Sequence, residues 1–147
     1  MMLDEQQGDM REIAREYFRR LDVGDEKLFD LFSEDAQIYF PKFGFGKGRA
    51  ALIEILTGLG GLVEVIEHDV RGFLYTVSGN VVVVEGTTKG KLKSGESWSA
   101  GETPGGRFCN VFEIHDGLIK RLNVYLDPDY AGKHEASFLW GREGRQW

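Results

Sequence analysis

A chain of 147 residues, 41% of them hydrophobic, is long enough for one domain with a buried core and too apolar for a disordered one. Its formal net charge of -6 repels a phosphate backbone, and no Lys/Arg cluster rises above that background, so nucleic acid is not expected as a partner. The single cysteine, Cys109, excludes an internal disulfide; no apolar run approaches the ~20 residues that cross a bilayer, and the acidic start MMLDEQQGDM lacks the apolar centre of a signal peptide, so a cytoplasmic protein without membrane contact is expected.

Ile13, Tyr17 and Leu21, with Ala14 and Phe18 beside them, recur at helical spacing, while Arg11, Glu12, Arg15, Glu16, Arg19 and Arg20 fill the other face. This predicts an amphipathic first helix. Gly24 can end it, and Asp25 can cap a short second helix whose stripe is Leu28, Leu31 and Phe32 and which stops near Ser33. Residues 36–40 read as a short strand closed by Pro41, and Leu52, Ile55, Leu56 and Leu59 mark a third helix ending at Gly60 and Gly61. From there the signal is β. Segments near 63–77, 80–92, 107–115 and 118–126 are rich in β-branched and aromatic residues, with turn signals at 78–80, 94–95 and 116–117. Helices first and hairpins afterwards predict one α+β domain over residues 1–147, with 128–147 as a C-terminal tail. That tail holds Tyr130, Phe138, Trp140 and Trp147, and is expected to cap a pocket or a partner subunit.

Gly46-Lys47-Gly48-Arg49-Ala50-Ala51 satisfies the dinucleotide pattern G-x-G-x-x-A, with Glu64 and Glu67 roughly 20 residues further on. The pattern needs a βαβ crossover into a parallel sheet, which the helix-then-hairpin order does not offer. It reads instead as a glycine-rich approach to the third helix, and no cofactor is expected. The three histidines are too scattered for a metal site, and no second cysteine joins Cys109. His115 adjoins a turn signal and His134 lies in the polar tail, so both read as solvated. His68 differs, because it shares one strand parity with Ile66, Val70, Leu74 and Thr76.

Two stretches, AREYFRRLDVGDEKLFDLFSEDAQIYF at 14–40 and FCNVFEIHDGLIKRLNVYLD at 108–127, resemble the opening helices and closing hairpin of the nuclear transport factor 2-like (NTF2-like) superfamily, and within it the SnoaL-like and ketosteroid-isomerase-like proteins. The resemblance implies a cone: three N-terminal helices wrapped by a curved, mostly antiparallel sheet around a central pocket, with a floor near Phe40 and Cys109. One such fold serves many chemistries. Against the isomerase pattern, Tyr17 matches the tyrosine that stabilises an enolate, but Phe40 stands at the basic carboxylate and Cys109 at the second acid. Without a carboxylate at position 40, steroid isomerisation is not expected.

Against the limonene-type epoxide hydrolases and SnoaL-type cyclases, Val124 falls at the aspartate of the last strand. In VVVVEG, Val83 falls at an arginine and Glu85 at an aspartate. A carboxylate that follows four valines is costly inside a protein unless paired or protonated, which ranks Glu85 first among the catalytic candidates, followed by His68 and Tyr17. The competing reading has Gly86 mark a bulge that turns Glu85 to solvent. The implied pocket is lined by Phe40, Val83, Cys109, Val111, Leu122 and Val124, and suits a small apolar ligand. Two functions follow: binding such a molecule without the acids of the known isomerases, cyclases and hydrolases, or acid–base catalysis on a hydrophobic carbonyl or epoxide compound through Glu85, His68 and Tyr17. The resemblance also implies a homodimer paired through the outer sheet face, where Arg121, Asn123 and Tyr125 alternate with the inward set.

Overall fold

Met10, Ala14, Tyr17 and Phe18 recur at the helical period and are buried along helix α1 (Met2–Val23) in the computed structural model, which describes residues 2–138 and 147. The helix runs further toward the N-terminus than the apolar stripe alone indicates. At its other end Gly24 adopts φ +68 while the Asp25 N–H reaches Arg20 O at 2.9 Å, a left-handed cap that glycine adopts without strain. The Asp25 carboxylate accepts from the Lys27 N–H at 2.9 Å and so starts the next element. That element is a 3-10 turn, Glu26–Leu31, and not a helix reaching Ser33, because Phe32 is already extended and its N–H closes on Phe29 O. Strand β1 (Phe32–Phe40) therefore begins ahead of Ala36. A register shift between Phe32 and Gln37 hides its alternation in the sequence.

Strand β2 (Gly44–Lys47) folds back on β1 through the glycine-rich stretch, where no strand is predicted. A Cβ at Gly46 would stand 2.6 Å from that of Ala51, and Gly48 has φ +72 with Glu34 O 2.7 Å from its missing Cβ. These glycines shape the turn into helix α2 (Gly48–Leu62), which buries Ala51, Leu52 and Ile55.

The remaining strands are β3 (Val63–His68), β4 (Leu74–Ser78), β5 (Val81–Leu92), β6 (Ser97–Ser99), β7 (Arg107–His115) and β8 (Leu118–Leu126). They form one curved, unclosed sheet in the order β2-β1-β8-β7-β5-β3, with β4 and β6 also on β5. Only β1 and β8 run parallel. The long β5 is the spine, pairing β4 along its first half and β3 and β6 along its second. The predicted segment 63–77 is thus two strands, parted by a 3-10 turn at Val70–Gly72 where the Asp69 N–H bonds Thr87 O.

Val82, Val84, Phe112, Ile114, Leu122 and Val124 face inward and pack against α1, which is the helix-and-curved-sheet arrangement that the resemblance implies. Beyond β8, Tyr130 turns back into the molecule with its ring 4.5 Å from that of Trp98. Trp140 lies outside the described residues. No described helix is long and apolar enough to cross a membrane.

Candidate functional site

Between α1, α2 and the inner face of the sheet lies a cavity of about 530 Å³, a size that suits a small organic ligand. Its walls are apolar: Phe40 and Ile38 from β1, Leu52, Ile55, Leu56 and Leu59 from α2, Leu122, Val124 and Leu126 from β8, and Phe108 from β7. Tyr130 of the tail lines it as well. Burial pushes the Tyr130 hydroxyl up to about 12.

Five polar side chains define what this space can do. Asp22, in the last turn of α1, accepts from the ring Nδ1 of His68 at 2.6 Å with one carboxylate oxygen and from the His68 backbone N–H at 2.9 Å with the other. A carboxylate accepts, so Nδ1 is the donor, and whenever the ring is neutral its lone pair sits on Nε2. No described residue takes Nε2 as a partner. The ring is held from the sides by Phe18, with centroids 4.9 Å apart, and Phe108 at 5.3 Å.

Tyr17 is 6% exposed, and its ring packs edge-on to Phe112 at 5.4 Å. Its hydroxyl has no hydrogen-bond partner among the described residues, and burial holds its pKa far above the ordinary phenol range, so it is a neutral donor. Asn110, 3% exposed on β7, leaves Oδ1 buried and unpartnered. A buried acceptor without a partner costs about 1–3 kcal/mol. The fifth, Thr88, is already satisfied: its hydroxyl donates to Gly106 O at 3.3 Å and accepts from Trp98 Nε1 at 2.9 Å.

Of the residues expected in the pocket, Tyr17, His68, Phe40, Leu122 and Val124 line it, whereas Val83, Glu85, Cys109 and Val111 do not. Those four stand on the opposite face of the sheet. Glu85 is exposed by simple alternation, since Val82 and Val84 point inward. No bulge is involved, because β5 and β7 pair in unbroken register through Glu85↔Cys109 and Gly86↔Phe108. Gly86 serves a close approach, with the Phe73 and Phe108 rings 2.7 Å from where its Cβ would be. The carboxylate beside His68 is therefore Asp22 and not Glu85. On the outer face the Cys109 thiol is pushed up by burial and secondarily by the Glu85 charge.

His115 belongs to that outer face too, its Nε2 lying 2.9 Å from Glu113, which Arg121 also holds at 2.9 Å. The His115 and Arg121 hydrogen bonds keep the Glu113 carboxyl below its usual range. Asp22 and Asn110 are the site residues that sequence reading passes over. A carboxylate just ahead of a helix-ending glycine points toward neither solvent nor core by pattern. Asn110 is one residue from Cys109 in a strand where Cys109 and Val111 make the outer face as apolar at that point as the inner one.

The class of protein follows from this architecture: helices across a curved sheet, with a cavity between them, form the NTF2-like fold. Residues 14–122 match the family described as SnoaL-like domain, and the chain belongs to that family. No curated protein matches it in sequence.

Solved structures with the same fold include an NTF2-like protein from Burkholderia xenovorans LB400, at 21% identity over 85% of this chain and 94% of that one, with a TM-score of 0.67. A putative polyketide cyclase from Xanthomonas campestris pv. campestris superimposes with a TM-score of 0.70 at 17% identity, covering 82% of this chain and 91% of that one. TerC, co-crystallised with polyporic acid, gives 0.67 at 17% identity over 81% and 92%.

Proposed function

We propose that this chain is an acid–base enzyme that binds a small, largely apolar molecule bearing an oxygen function, and moves a proton on it with His68. The observation that carries the reading is the Asp22–His68 pair on the wall of an apolar cavity, with the second ring nitrogen unengaged. Such a carboxylate fixes the tautomer and steadies the imidazolium that forms when Nε2 takes a proton. Tyr17 and Asn110 supply hydrogen bonds to the ligand's oxygen groups. The two arginines at the cavity are occupied elsewhere, Arg20 by Glu16 and Lys27 O and Arg107 by Trp147 O, which favours a neutral ligand over a carboxylate or phosphate. Isomerase, cyclase, dehydratase and hydrolase reactions on hydrophobic carbonyl or epoxide compounds all need this proton transfer. The cyclase name of one fold neighbour and the polyporic acid bound to another agree with an oxygenated substrate.

The test is turnover of a panel of cyclic ketones, enols and epoxides by the wild type and His68→Gln. For any compound turned over, His68→Gln is expected to lower kcat by roughly two to four orders of magnitude with KM moving less than about threefold. Turnover that survives the change removes His68 from the chemistry. The second reading, a binding protein without catalysis, is favoured by Phe40 and Val124, apolar cavity residues at positions where the resembling enzymes carry acids. It predicts ligand uptake with no turnover by the wild type.

The same reading includes a homodimer formed through the outer sheet face. Phe45, 66% exposed, lies tilted against Tyr39 with centroids 5.0 Å apart, and Tyr39 lies 5.7 Å from Tyr125, itself 48% exposed, which leaves a row of aromatic rings uncovered. Sedimentation at micromolar concentration is expected to give a dimer for the wild type and a monomer for Tyr125→Glu. A monomeric wild type would remove the second copy from that face.

A further inference from the structure

Helix α2 ends in Thr57-Gly58-Leu59-Gly60-Gly61-Leu62, and none of its three glycines is required by shape. Nothing lies within 4 Å of where a Cβ would stand at Gly58, Gly60 or Gly61, and none of them takes a positive φ. Gly90 shows the contrast, because a Cβ there would sit 2.2 Å from Val65 O. Glycine weakens a helix relative to alanine because it orders a freer chain. Thr57 weakens the same turn, since its hydroxyl donates back to Ile53 O at 2.7 Å, a bond that loosens and bends helices. Among residues 57–62 Leu59 alone is not exposed, and it packs against the cluster of Ile38, Leu52 and Ile55.

This weak turn is also a wall of the cavity, which Leu56, Leu59, Gly60 and Val63 line. Asn110, whose Oδ1 is buried without a partner, lines the same cavity. We propose that residues 57–62 are the gate of the cavity: the end of α2 unwinds to pass the ligand and rewinds behind it, with Leu59 as the latch. The proposal rests on the reading of the cavity as a ligand site. The segment is tethered on both sides, by the buried Leu52 and Ile55 before it and by the Lys93 N–H on Leu62 O at 2.9 Å after it. Opening is therefore a local helix-to-coil change and leaves the rest of α2 in place.

The experiment compares the full-length wild type with Gly58→Ala/Gly61→Ala, two positions outside the cavity lining. The probe is N-phenyl-1-naphthylamine, a neutral apolar fluorophore, followed by stopped-flow mixing. Each alanine is expected to lower the open population about two- to fivefold, so probe entry and exit should both slow by roughly four- to twenty-five-fold at unchanged Kd. Amide exchange over residues 58–63 should slow by the same factor. Slower amide exchange with unchanged probe rates would show that the probe takes another path, which overturns the gate alone. A wild type that does not take up the probe overturns the cavity reading and the gate with it.

Discussion

Asp22→Asn is expected to lower turnover by roughly two to four orders of magnitude, close to the loss from removing His68 itself, although the substitution is nearly isosteric. The reason is a count of acceptors. Two donors converge on Asp22, the His68 ring Nδ1–H and the His68 backbone N–H, and each takes its own carboxylate oxygen. Asparagine offers one oxygen and one NH2. If its oxygen stays on the backbone N–H, its NH2 faces Nδ1 and forces the ring into the other tautomer, with the proton on Nε2 and no lone pair there for the substrate. If the amide turns the other way, the buried backbone N–H loses its acceptor, at about 1–3 kcal/mol. The 15N shifts of the ring report which tautomer is present. A variant with the wild-type tautomer and wild-type turnover would show that Asp22 does not set the base.

Phe18→Ala is expected to cost about 3–5 kcal/mol of stability, a large share of the roughly 5–15 kcal/mol that a domain possesses. Phe18 is 1% exposed, and its ring touches those of Tyr17, Phe73, Phe108 and Phe112 with centroids 4.7 to 5.9 Å away. Alanine would leave a void that no neighbour can fill without moving α1 off the sheet. It would also strip one of the two rings that hold His68. Urea unfolding should show a lower midpoint at an unchanged slope. A loss below about 1 kcal/mol would mean that the aromatic cluster closes over the gap and is not the anchor of α1.

Most of the contrast between what can be read in the sequence and what cannot has one physical source. Where a segment has one wet and one dry face, its pattern is legible: Ala14, Tyr17 and Phe18 announce the buried side of α1, and Gly24 and Asp25 announce its end. His68 was visible for the same reason, as a polar residue in phase with Ile66 on a strand otherwise charged on its other side. Where both faces are apolar, alternation has no phase. Val81, Val82, Val83 and Val84 offer no clue to which pair points inward, and a choice wrong by one residue sends every side chain to the opposite face. A reading shifted by one residue places Glu85, Val83, Cys109 and Val111 in the pocket and leaves Asn110 out. At its centre the outer face imitates a core, because Val83 and Val111 are paired there with Cys109 one step away. The short strands β2 and β6 were illegible for a different reason, since their glycine and serine content reads as turn.

The parallel pairing of β1 with β8 has a temporal consequence. Ile38 is seated beside Leu122, and Tyr39 beside Asn123, partners separated by more than half the chain. On a ribosome the strand that is made first meets its sheet neighbour only when the last strand has emerged. Until then β1, β2 and the α2 helix that packs on them are a small unit in which β1 lacks its second partner, while β4, β5 and β7 can already pair through nearby turns. Loop-closure entropy weighs most on that final joining, which spans the greatest sequence separation in the sheet. The cavity, walled by α2 on one side and by β7 and β8 on the other, comes into being only at that moment, so an unfinished chain has nothing to bind with.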